Sequence, residues 1–88
     1  MGLADQGRQL VLQLKEHLLH VMRDQTACMP SGAGVKGADL ERLCGWDLQL
    51  DKQDGYLIWS ILQLLVGDGT VETFKVGAKR HYRLTLQP

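Results

Sequence analysis

Eighty-eight residues with 44% apolar and 23% charged side chains, ten glycines and a formal net charge of zero describe one small domain and exclude a large multi-part enzyme. A chain of this size buries only about 60% of its unfolded surface, so a functional site is expected on a surface rather than in a deep catalytic cavity. The apolar runs fall far short of the roughly 18 residues that cross a bilayer, and the N-terminus has no signal-peptide arrangement. Cys28 and Cys44 stand outside any C-x-x-C unit and read as reduced thiols. These features imply a soluble intracellular chain, nuclear in a eukaryote and cytoplasmic in a bacterium. Met1-Gly2 leading straight into helical sequence suits a domain cut from a longer protein.

In chain order, Leu10, Leu14, Leu18 and Met22 recur at i+4 with Val11 and Val21 beside them, which predicts an amphipathic helix over about 4–23. Leu12 and Leu19 lie off that stripe; coverage by the tail or a loop would account for them, and so would a dimer or interdomain surface. A long loop is expected over 27–37, where Pro30 and three glycines cluster, with Val35 able to begin a short strand. Residues 38–44 read as a two-turn helix with Leu40 and Leu43 inward and Gly45 as its stop. A third helix is predicted over about 52–66, with Asp51 as N-cap, Asp54 in the first turn and Gly67-Asp68-Gly69 as its end. Its buried arc is expected to hold Leu57, Ile58, Ile61, Leu62, Leu64 and Leu65, and its outward stripe Lys52, Gln53, Tyr56, Trp59, Ser60 and Gln63. Two strands follow, over 70–74 and 81–86, joined by a loop with Gly77 at its middle. Tyr82, Leu84 and Leu86 should face the core from the second strand.

Charge is unevenly placed along this order. Residues 39–72 carry seven acids against Arg42 and Lys52, whereas residues 73–88 carry Lys75, Lys79, Arg80 and Arg83 and no acid. The positive pole is therefore the C-terminal hairpin.

The segment Gly37-Ala-Asp-Leu-Glu-Arg-Leu-Cys-Gly45 resembles the second helix of a helix-turn-helix. Trp59 to Leu65, running into Gly67-Asp-Gly-Thr-Val-Glu72, is similar to a third helix entering a wing, and Lys79-Arg-His-Tyr-Arg-Leu84 to the return strand of that wing. Together these resemble the winged-helix superfamily over nearly the whole chain. One departure is the ten residues between Gly45 and Tyr56, where a compact helix-turn-helix uses three or four. The resemblance implies an α+β fold, a three-helix helix-turn-helix core with a C-terminal β-hairpin wing in a single domain over 1–88. It also implies nucleic-acid binding, with the third helix in the major groove and the wing on phosphate.

The residues are chemically able to do this in part. Lys75, Lys79, Arg80, His81 and Arg83 would neutralise phosphates, and Lys52, Gln53, Tyr56, Ser60 and Gln63 could enter a groove. The stripe holds no arginine, and Asp51 and Asp54 would repel phosphate where such a helix first meets DNA. The expected function is thus a non-catalytic, wing-led module binding duplex DNA, within a transcription regulator or a repair or replication protein. The alternative is a winged helix used for protein interaction, whose acidic middle and exposed aromatics meet a basic partner, with Leu12, Leu19 and Trp59 as interface residues and a homodimer or parent-protein domain as partner. No phosphate-cradling glycine motif, catalytic triad or zinc-ligand spacing is present in the sequence. We expect no enzyme activity, no cofactor, no metal, no small-molecule substrate and no membrane partner.

Overall fold

The computed structural model of the chain describes residues 2–47 and 56–86. The expected Asp51 cap and Lys52 helix start, together with Gln53 and Asp54, lie outside the described residues. Helix α1 (Leu3–Arg23) opens with Asp5 in its first turn and closes with His20 and Arg23 in its last, both favourable to the helix dipole. A 3₁₀ turn (Thr26–Cys28) and a loop follow, then strand β1 (Val35–Lys36) and helix α2 (Gly37–Cys44). Helix α3 (Tyr56–Gly67) leads into the hairpin of β2 (Val71–Val76) and β3 (Lys79–Leu84). No described helix is long and apolar enough to cross a membrane.

Both α2 and α3 stop through the same device. Gly45 takes φ 77° and lets the Trp46 amide donate to Glu41 O at 2.9 Å. Gly69, at φ 79°, lets the Thr70 amide donate to Leu65 O at 3.0 Å. In each case a left-handed residue folds the chain back on its own last turn and satisfies a carbonyl the helix leaves open.

The three strands form one antiparallel sheet in the order β1-β3-β2. Val35 pairs with Tyr82, and the hairpin register runs from Val71 opposite Leu84 to Val76 opposite Lys79. Only Gly77 and Ala78 remain in the turn, and Gly77 at φ 65° followed by a residue without positive φ is the pattern of a type II′ hairpin. The strands are thus longer toward the tip than expected, and Lys75, Lys79 and Arg80 belong to paired strands rather than to a loop.

The core gathers Leu18 and Met22 of α1, Cys28, Leu40 and Cys44, four residues of α3 and Val71, Tyr82 and Leu84 of the sheet. In α2 the inward line is Leu40 and Cys44; Leu43, roughly 80° from the middle of that side, is half-exposed and corrects the expected orientation. In α3 only Ile58, Ile61, Leu62 and Leu65 are buried. Leu57 and Leu64 sit roughly 90° and 110° off that line and are partly exposed, so the expected arc of six was too wide. Leu86 is exposed as well, because β3 ends at Leu84 and the alternation that would have buried it has no sheet to follow. Leu10, also expected on the core stripe, is exposed.

Replacing Leu62 by Ala should cost about 2–5 kcal/mol, read as a lowered urea midpoint. Leu43→Ala and Leu86→Ala should each shift it by no more than about 0.5 kcal/mol. Burial pushes both thiols up to about 11. The unfolded chain then releases those protons first, so stability should fall as pH rises from about 9 to about 11, by at most about 1.4 kcal/mol per thiol per unit. The double variant Cys28→Ala, Cys44→Ala should lose that slope.

Candidate nucleic-acid interface

The pleat of the hairpin divides its bases between two faces. Residues opposite each other in the ladder share a face, so Lys75 and Arg80 extend the side that buries Val71, Tyr82 and Leu84. Lys79, His81 and Arg83 lie on the other side with Glu72, Phe74 and Val76. The five expected phosphate contacts therefore do not form one patch.

On the outer face Arg83 is engaged in holding the structure together. Its Nε donates to a Glu72 carboxylate oxygen, its Nη1 donates to Gly32 O at 2.8 Å, and its guanidinium lies 4.5 Å from the centre of the Phe74 ring. His81 stacks on that ring as well, 6.1 Å between centroids. The loop before β1 closes over both: at Gly34, with φ 84°, a Cβ would stand 2.7 Å from Phe74 Cζ and 2.9 Å from His81 Cβ. Only glycine permits that approach. Arg83 and His81 are thereby removed from the set of free phosphate contacts.

The remaining wing bases are exposed at the tip. Lys75 and Arg80 stand directly across from each other, a like-charge pair that opposes sheet formation by a few tenths of a kcal/mol to about 1 kcal/mol. Among the described residues, Lys75, Lys79 and Arg80 form no salt bridge; Arg80 only reaches the Thr73 hydroxyl at 3.5 Å. Lys36 joins them from β1, where it sits opposite His81, exposed on the outer face. The sequence did not single it out, because the two-residue strand that places it beside β3 carries no period of its own.

The α3 stripe is exposed as expected at Tyr56, Trp59 and Gln63, with Ser60 half-buried. Its described outward residues carry no charge, and Lys52 and Gln53 lie outside the described residues. Trp59 is 55% exposed and borders an apolar groove of about 350 Å³ between α2 (Gly37, Ala38, Glu41), α3 (Ile58, Leu62) and Tyr82. This groove is formed by long-range packing, and the sequence reading missed it. Of the expected interface residues, Leu12 is 47% exposed, whereas Leu19 packs against the core and is not available.

Three acids of the middle segment are held by bases of the chain itself. Asp39 pairs with Arg42, Asp68 with Lys15 at 2.6 Å, and Glu72 with Arg83. His17 sits at the end of α2, its Nε2 3.0 Å from Cys44 O and its ring 5.5 Å from that of Trp46. Among the described residues, no group of three or more His, Cys, Asp or Glu could hold a metal ion. No protein-family model matches the chain, and no curated protein or solved structure matches it either.

Two substitutions separate structural from free bases. Arg83→Ala should destabilise the domain by about 1–3 kcal/mol by orphaning Glu72 and Gly32 O. Lys75→Glu, which turns the like-charge pair into an opposite one, should raise stability by up to about 1 kcal/mol in thermal unfolding at low salt.

Proposed function

We propose that the chain is a non-catalytic winged-helix module that binds duplex DNA through the tip of its β2–β3 hairpin, in a transcription regulator or a repair or replication protein. The observation that carries this reading is the unneutralised Lys75–Arg80 pair, set across the ladder where either residue alone would be less costly, with Lys79 on the opposite face. A ribbon with cations on both faces suits a groove, whose two walls both carry phosphate, better than it suits a flat anionic surface. A major groove about 12 Å wide admits a two-stranded ribbon. The element order, a helix, a short strand, two helices and a hairpin, with β1 paired to the last strand, fits the winged-helix frame. In this reading the wing supplies affinity, and α3, neutral along its described outward face, contributes little of it.

A second reading, docking to a protein, is favoured by the exposure of Tyr56 and Trp59 beside the apolar groove. The acidic middle supports it less than its composition promises, because three of its carboxylates are already paired.

Titration of a labelled duplex at two salt concentrations tests the proposal. Three phosphate contacts predict a slope of log affinity against log salt near −2.7, so binding should weaken roughly 40-fold between about 50 and 200 mM salt. Lys79→Ala with Arg80→Ala should lower the slope by about two. Absence of binding at about 50 mM salt, at concentrations where non-specific binding is ordinarily seen, would overturn it in favour of the protein-docking reading.

A further inference from the structure

The groove beside Trp59 has one acidic side chain in an otherwise apolar wall. Helix α2 borders it with Gly37, Ala38 and Glu41, and α3 with Ile58 and Leu62. Gly37 and Ala38 contribute little or no side chain, so Glu41 dominates the α2 wall. It is half-buried, yet among the described residues it forms no salt bridge, unlike Asp39, Asp68 and Glu72. A carboxylate held partly out of water without a cation carries a cost that a partner's cation removes.

Tyr82 supplies a second open group. The residue is only 5% exposed, and its hydroxyl makes no hydrogen bond with a described residue. Among the described residues no buried polar side-chain atom lacks a partner, so this hydroxyl reaches the surface, in the groove that Tyr82 lines. The Trp59 ring, 55% exposed, forms the third side, and among the described residues no cation lies over it. The outer face of the hairpin shows what a carboxylate, an oxygen acceptor and an aromatic ring hold together: Glu72, Gly32 O and Phe74 bind the Arg83 guanidinium.

We infer that the groove takes an arginine side chain from a basic segment of a partner protein. The guanidinium donates to the Glu41 carboxylate and to Tyr82 Oη while stacking on Trp59, and its methylene stem lies on Ile58 and Leu62. A planar fork of five donors suits three such contacts better than a strongly hydrated ammonium does. Glu41 disfavours an anionic occupant, and a wholly apolar one would cover that carboxylate and the Tyr82 hydroxyl without satisfying either. The site uses none of the bases at the hairpin tip and does not rest on the DNA reading.

NMR titration of the isotope-labelled 88-residue chain with a short capped peptide, one arginine flanked by alanines, tests this without nucleic acid. The expected result is a saturating shift of the Trp59 indole N–H and of the Glu41 and Tyr82 amides, with a dissociation constant on the order of 1 mM. A citrulline peptide, of the same shape without the charge, should bind about tenfold more weakly, and Glu41→Gln should weaken the arginine peptide by a similar factor. Trp59→Leu, at an exposed position, should weaken it about threefold. Gly37→Ala places a methyl 3.5 Å from Tyr82 Cε1 and 3.9 Å from Leu62 Cδ1, ordinary contacts that the fold accepts and that narrow the groove. It should weaken binding without lowering the urea midpoint. Equal binding of the citrulline peptide, or indifference to Glu41→Gln, makes the groove an apolar docking site and overturns the inference. A Trp59 indole that does not respond to about 10 mM arginine peptide overturns it as well, and one that responds to duplex DNA instead gives the groove to the nucleic acid.

Discussion

Strand β3 lies between β1 and β2, and its alternation decides what each of its side chains can do. Tyr82 and Leu84 point inward and close the core over α3, so Arg83 between them must point outward. A guanidinium partly covered by a loop is tolerable only if its donors are met. Glu72 and Gly32 O meet them, with the Phe74 ring beneath. The same contacts pin the loop that precedes β1 against the outer face, with Gly34 on the Phe74 ring. The sheet, the loop and the start of α2 are therefore tied together by one strand whose two faces carry different tasks.

What is left free follows from where that arrangement ends. Beyond His81 neither the core nor the loop reaches the ribbon, and Lys75, Lys79 and Arg80 project from its tip with no carboxylate partner among the described residues. Keeping two cations face to face has a cost that neither packing nor a local ion pair offsets. A polyanion would offset it, and the two-sided placement selects among polyanions for one that surrounds the ribbon. Arg83 shows the converse: its charge counts toward the basic composition of the hairpin, yet it is consumed by Glu72.

The helices, their order and the hairpin were legible in the sequence because each has a period or a stop signal of its own: the i+4 leucines of α1, Gly45 and Gly69 after their helices, Gly77 in the turn. The two faces of β3 could also be read, since Tyr82 and Leu84 alternate with His81 and Arg83. Legibility ended where an outcome depends on partners distant in sequence. Leu43, Leu57 and Leu64 are apolar enough for a core, but α1, α2 and the sheet cover only one side of each helix. Arg83 could be counted as a base from composition, whereas its neutralisation needed the register that sets it opposite Glu72. Lys36 and the groove beside Trp59 arise from the β1–β3 pairing and the packing of α2 on α3, for which a local sequence window holds no signal. The Lys52 and Gln53 contacts proposed for α3 belong to the segment outside the described residues.

The neutrality of the chain bears on how such a tip could hold a duplex. With no net charge the chain as a whole does not attract a polyanion from afar, and at physiological salt the influence of a few lysines fades over about 8 Å. The wing can then act only in contact, and three phosphate contacts give an affinity that salt readily removes.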